Sequence, residues 1–290
     1  MRAEEISKMK CRGLIKGLAA ALILIGLFAT VPTAAESGEG TGHPVAAPDG
    51  FMKPTLEGPW RTIIALSLWA PTTVKFKVET EEESETVHED LNWLLDVLDY
   101  EIPIEAEVRK GSFGLYAHLL AFKISGDLDV GPASVEWDDQ GWLLDVGLSY
   151  QLGQWALGTG ARPATLTIEP FAGARLLYDP VDIELDLGPE KDSSSIKLSN
   201  YVPLIGLRAF VDLTEHWNLR MDFDYGGFGV DDNHETWNWR ALVGYRFSGW
   251  GVGWNIQGGY RSMKVMELRK NDADVEIYLD GPIALVAVEF

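Results

Sequence analysis

The chain has 290 residues, 46% of them hydrophobic and 23% charged, which excludes disorder, a collagen-like repeat or a disulfide scaffold for most of it. A formal net charge of −20 offers no means of holding nucleic acid, and a mean hydropathy near zero excludes a bundle of membrane-spanning helices. The content of 11 Trp and 30 Gly with one Cys is unusual.

The N-terminus opens with a basic stretch carrying Arg2, Lys8, Lys10, Arg12 and Lys16. An apolar run from Gly17 to Val31 follows, interrupted by Thr30, and then the small residues Thr33-Ala34-Ala35. This is the pattern of a secretory signal peptide over residues 1–35. The rival reading is an uncleaved membrane anchor, which needs about 20 apolar residues, more than this run offers. Cys11 precedes the run, so it is not a lipid-acceptor cysteine at the cleavage site. Without residues 1–35 the chain is free of cysteine, consistent with an oxidising compartment in which no disulfide is used. Residues 36–59 are rich in Gly, Pro and Ala and are expected to form a flexible leader.

From Trp60 onward the dominant signal is alternation, the mark of strands with one apolar face. In 236–247, Trp237, Trp239, Ala241, Val243, Tyr245 and Phe247 oppose Asn238, Arg240, Leu242, Gly244 and Arg246. In 218–226, Leu219, Met221, Phe223 and Tyr225 oppose Asn218, Arg220, Asp222, Asp224 and Gly226. In 252–261, Val252, Trp254, Ile256 and Tyr260 oppose Asn255, Gln257, Gly259 and Arg261. A soluble sandwich would bury the apolar face, whereas a membrane barrel turns it to lipid. Three features favour the barrel. Aromatic residues crowd the ends of the apolar faces, as interfacial girdles do. The polar faces mix Arg with Asp and Glu, as an enclosed lumen with paired charges would. The chain ends Leu285-Val286-Ala287-Val288-Glu289-Phe290, an alternating strand closed by Phe.

Ten strands are predicted, at about 61–79, 101–110, 113–125, 141–151, 165–178, 201–213, 217–227, 235–247, 251–265 and 276–290; counts of eight or twelve are also compatible. Pro71 should kink the first. Short connections at 110–112, 213–216 and 248–250 read as periplasmic turns, and longer ones at 80–100, 126–140, 179–200 and 266–275 as outer loops. The 152–164 connection is long on the side that should be short. Within the first long connection, Val87, Leu91, Leu94, Leu95 and Leu98 form a helical stripe. Such a helix over 87–98 would either plug the barrel mouth or cap its rim.

These residues resemble a family of largely uncharacterised Gram-negative outer-membrane β-barrel proteins. The resemblance rests on Leu68-Trp69-Ala70-Pro71, the 90–99 helix, Glu107-Val108-Arg109-Lys110-Gly111 and Ile205-Gly206-Leu207-Arg208. It continues through 224–230, Trp237, Gly244-Tyr245-Arg246-Phe247, Gly259-Tyr260-Arg261 and Gly281-Pro282. It implies an integral barrel in the bacterial outer membrane, in contact with lipid and lipopolysaccharide, and brings no established activity. His118 departs from it, standing where an acidic residue is expected on the third strand.

The candidate site is the lumen. Alternation turns Glu105, Glu107, Arg109, Asp145, Glu169, Arg175, Arg208, Arg220, Asp222, Asp224, Arg240, Arg246, Arg261 and Glu289 inward. Such a ladder defines either a narrow ion-selective path or a filled polar core; a barrel this small favours the filled core. The expected role is structural, or restricted passage of small solutes. Two alternatives from other classes are a surface-loop hydrolase like the omptin proteases and a cell-surface interaction protein. For the hydrolase, Asp231-Asp232-Asn233-His234 sits on a predicted outer loop and could activate water, but Asp and Asn are also ordinary turn formers. Ser149 and His118, candidates for a lipase, stand in no recognisable motif. The five histidines lack metal-ligand spacing. The acidic run 79–90 could hold divalent cations or bridge to lipopolysaccharide through them, and is otherwise a solvated loop. Gly226, Gly227 and Gly229 form no phosphate cradle and mark a strand end. No catalytic residue, metal site or cofactor is assigned.

Overall fold

The computed structural model describes residues 54, 56–80, 84–130, 133–159, 162–186, 191–230, 233–270 and 273–290. The signal-peptide reading and most of the leader therefore lie outside the described residues. Among the described residues, thirteen strands and one helix follow in chain order: β1 (Trp60–Trp69), β2 (Thr73–Thr80), β3 (Ser84–Asp90), α1 (Leu91–Val97), β4 (Leu98–Lys110), β5 (Phe113–Val130) and β6 (Ala133–Tyr150). The remainder are β7 (Gly153–Leu157), β8 (Ala164–Asp186), β9 (Lys191–Asp212), β10 (Trp217–Val230), β11 (Asn233–Gly249), β12 (Val252–Lys270) and β13 (Ala273–Glu289).

Ten of these strands close into an antiparallel barrel, in the order β1-β4-β5-β6-β8-β9-β10-β11-β12-β13. Closure is made by β1 against β13, from Ile63↔Glu289 to Trp69↔Ile283. Every backbone group in a closed ladder finds a partner within the wall, which is the condition for crossing a bilayer with strands. The first predicted strand is interrupted at Ala70–Thr72, and both its halves, β1 and β2, pair with β13. Pro71 cannot donate to the ladder. The interruption tucks against Gly281, where a Cβ would stand 2.0 Å from the Ala70 carbonyl oxygen, so only glycine fits.

β1 begins and β13 ends at the end that carries the short turns, which is the periplasmic end of such a barrel. Trp250 and Gly251 both have positive φ, giving the mirror-image two-residue turn that matches strand twist. At the same end, Ser112 Oγ donates to the Leu56 carbonyl at 3.0 Å, so the last leader residues pack on the β4–β5 turn.

The structure corrects the expected connections. The stretches predicted as long outer loops are largely strand: β5 and β6 extend to Val130 and from Ala133, and β8 and β9 to Asp186 and from Lys191. Polar alternating sequence carries no apolar signal once it rises beyond the lipid, yet its backbone ladder continues. The acidic run likewise forms part of the β2–β3 hairpin rather than a loop, with residues 81–83 outside the described residues. The helix spans Leu91–Val97 instead of 87–98; it begins where the Asp90 carboxylate accepts from Trp93 N at 3.0 Å. The anomalous 152–164 connection carries β7, which pairs with the base of β8.

Outside the barrel runs an apolar belt. Ile64, Leu66, Leu115, Leu148, Ile205, Val243, Ile256 and Val286 are exposed there. Below it lie the ring pairs Phe113–Tyr150, Trp217–Tyr245 and Phe247–Trp254; above it lie Trp142–Tyr178 and Trp239–Tyr260. From Tyr245 to Trp237 β11 runs nine residues, the length at which a tilted strand spans hydrocarbon. The aromatic residues thus mark the two interfaces of a membrane-spanning barrel. Trp239, Phe223 and Val286 are exposed rather than sandwiched between sheets, which excludes the soluble alternative.

Candidate functional site

Within the wall, charged side chains are buried and joined to one another, several of them across strands that do not touch. At the periplasmic end Arg61 donates to Glu289, with Nη2–Oε2 at 2.9 Å, and Arg246 donates to Asp212. Above them Arg109 bonds Glu107 and Glu169, while Arg208 Nη1 reaches Glu169 Oε1 at 3.1 Å and Glu107 Oε2 at 3.3 Å. The guanidinium of Arg208 also lies over the rings of Tyr116 and Phe171, at 4.7 and 4.9 Å.

Two further groups sit higher. Arg240 bonds Glu105 through two nitrogens, at 2.5 and 3.0 Å, and also bonds Asp222, which accepts from Arg220 at 3.0 Å. Arg175 grips Asp145 in a fork at 2.8 and 2.8 Å and reaches Asp224 at 3.1 Å and Thr236 at 2.7 Å. His118 Nε2 stands 3.7 Å from Glu105. Arg261 donates to Asn238 at 2.7 Å.

The order of strands explains what these pairs span. β4 lies four positions round the ten-strand wall from β9 in one direction and from β11 in the other. Glu107–Arg208 and Glu105–Arg240 therefore cross almost the full width of the barrel. Forked Arg–carboxylate pairs suit this task because their geometry is fixed by two parallel bonds.

Sequence alternation missed a second interior layer, which is apolar. Trp69, Leu120, Phe122, Leu143, Leu177, Leu242, Met263, Leu279 and Ile283 form a buried cluster toward the outer end. Leu94 of α1 belongs to it and is fully buried, while Leu95 faces solvent. The helix thus reaches the apolar layer through one inserted side chain, with Val97 buried beside it. Between the ionic and apolar layers lies a cavity lined by residues such as Trp69, Pro103, His118, Phe171, Arg240 and Arg261.

Beyond the Trp142–Tyr178 girdle, on the outer side of the membrane, Asp139 and Asp179 are buried as neighbours. Asp139 has no hydrogen-bond partner of fixed geometry among the described residues. Burial, with Asp179 beside it, pushes the Asp139 carboxyl well above the usual carboxylate range. The folded state then holds a proton that the unfolded chain releases near pH 4. Its stabilisation is complete at acidic pH and is lost as pH rises toward the raised folded value. Urea unfolding of wild type and Asp139→Asn should therefore diverge with pH. The variant is expected to gain stability over wild type at about pH 8 relative to about pH 5; an unchanging difference would contradict a proton held on Asp139 in the folded barrel.

The alternative sites find less support in geometry. Asp231 and Asp232 lie outside the described residues, and Asn233 and His234 belong to β11 rather than to a loop. Ser149 and His118 stand on neighbouring strands, where His118 pairs in register with Asp145 and Ser149 with Gly114. Among the described residues no three His, Cys, Asp or Glu side chains are grouped to hold a metal ion. At Gly227–Val230 the β10–β11 register shifts, with positive φ at Gly227, Phe228 and Gly229.

No protein-family model matches the chain, and no curated protein matches it. Solved structures similar to it include the outer membrane protease OmpT from Escherichia coli, at 12% identity and a TM-score of 0.45, covering 79% of this chain and 97% of that one. Ail, the attachment invasion locus protein of Yersinia pestis, is 8% identical with a TM-score of 0.31, covering 81% and 99%. A Pseudomonas aeruginosa FadL homologue is 7% identical with a TM-score of 0.28, covering 80% and 89%. At such identities none of them lends this chain an activity. Its own closed wall and girdled apolar belt make it an integral β-barrel of the bacterial outer membrane.

Proposed function

We propose that the protein is an occluded outer-membrane barrel, structural in role or admitting small solutes only when its interior rearranges. The observation that supports this reading is the pair of ionic braces, Glu107–Arg208 and Glu105–Arg240, spanning the lumen between nearly opposite strands. An open pore needs a continuous wet path, and side chains bonded across the width of a ten-stranded barrel interrupt it. The apolar layer under α1 adds a second barrier, because a hydrophobic constriction sheds water. The exterior meets lipid along the apolar belt, and contact with lipopolysaccharide is proposed at the outer rim.

Planar-bilayer recording of the purified barrel tests this. Wild type is expected to give no regular single-channel steps. Regular wild-type steps whose size changes in Arg240→Ala would show a standing pore and overturn the occluded reading.

A further inference from the structure

Among the described residues, eight arginines reach the barrel interior, and seven of them have a carboxylate within 4.0 Å. Arg261 has none among the described residues. Its Nε donates to the neutral Asn238 amide oxygen at 2.7 Å, and Nη2 lies 3.4 Å from Met263 Sδ. Its guanidinium lies over the Trp69 ring at 4.4 Å. A cation removed from bulk water without a counter-ion is costly. Trp69 presents a matching deficit: its Nε1–H is buried and has no acceptor among the described residues.

Both side chains line the same cavity. Five carboxylates share it: Asp145 and Asp224 are engaged by Arg175, Glu105 and Asp222 by Arg240, and Glu101, also buried, forms no ion pair with Arg261. About half of the remaining wall is apolar, including Leu120, Leu143 and Phe171. Ser67 and Pro103 also line it, just past the point where the β1–β4 ladder ends at Leu66↔Ile104. Leu68 and Ile102 of the same two strands face outward and are exposed. The cavity therefore lies beside the lipid-facing surface at a place where the wall lacks ladder pairing between β1 and β4.

We propose that this cavity binds a small amphipathic carboxylate, its acid group held by Arg261 and Trp69 Nε1 and its apolar part against Leu120, Leu143 and Phe171. The missing counter-ion of Arg261 and the missing acceptor of Trp69 are supplied by one carboxylate. The site is independent of whether ions cross the barrel, so bilayer recording and ligand binding fail separately.

Calorimetric titration tests it, using the full-length barrel in phosphatidylcholine nanodiscs, with empty nanodiscs subtracted. Octanoate is the probe and octanamide its uncharged counterpart. Wild type is expected to bind octanoate saturably and octanamide about tenfold more weakly. Arg261→Gln should abolish that preference, with its folding checked by the heat-dependent gel shift of a closed barrel. Trp69→Phe keeps the ring and removes the donor, and should weaken octanoate severalfold and octanamide less, because the neutral amide carbonyl is the weaker acceptor. Absence of saturable octanoate binding, equal affinity for acid and amide, or a preference kept by folded Arg261→Gln would each overturn the proposal. Should Arg261→Gln not fold, unchanged octanoate affinity in Trp69→Phe would do so.

Discussion

Glu169→Ala is expected to destabilise the barrel by about 3–5 kcal/mol, the usual effect of removing one partner from a buried ion pair. Glu169 is 0% exposed and lies between two guanidiniums, accepting from Arg109 and from Arg208. Its loss leaves Glu107 as the carboxylate bonded to both arginines. Two cations then share one counter-ion in a region shielded from water, and neither can move out, because Arg208 is held over Tyr116 and Phe171. Glu169→Gln keeps the shape and one acceptor, and is expected to fall between wild type and alanine. The exposed pair Arg162–Glu215 is the control; Arg162→Ala should cost at most about 1 kcal/mol. Reversible urea unfolding in lipid vesicles, followed by tryptophan fluorescence, measures all three. A Glu169→Ala barrel within about 1 kcal/mol of wild type would show that the brace contributes little.

Val286→Arg is expected to cost about 2–4 kcal/mol in the same assay, the range for a cation on the lipid face near the bilayer midplane. Val286 is 41% exposed, and its ladder neighbours Leu66 and Ile256 are exposed as well. On a water-facing sheet such a substitution would be nearly neutral. In the belt the guanidinium has no water within reach except by distorting the bilayer. Trp250→Arg, at the 86% exposed tip of a periplasmic turn, places the same charge at the interface and is expected to cost about 0–1 kcal/mol. Equal effects at the two positions would remove the membrane assignment of the belt.

Much of the architecture is legible in short stretches of sequence. The alternation in 236–247 assigns Trp237, Trp239 and Tyr245 to one face and Asn238, Arg240 and Arg246 to the other, because successive side chains in a strand point oppositely. The closing strand through Leu285 to Phe290 and the turns at Gly111 and Gly251 are equally local signals. The outer ends of the strands are not legible, since polar segments such as 126–130 and 191–200 look like loops when no apolar face marks them. The helix boundary shifted for a related reason: Val87 fits the helical stripe, but Asp90 caps the helix and the preceding residues pair with β2.

The interior divides the same way. Residue order alone determines that the chain alternates between lipid-compatible and ionic faces, and hence that a closed barrel can satisfy both. Tertiary structure alone decides which charges meet, because Glu105 and Arg240 are 135 residues apart and come together only when closure sets β4 across from β11. It also decides that Leu120, Phe122 and Met263 turn inward to form an apolar layer under Leu94. A strand apolar on both faces carries no period to say which side is the lumen. That Arg261 is left with Trp69 and, among the described residues, no carboxylate follows from the same closure: pairing across a barrel is settled by curvature and register, which no local pattern encodes.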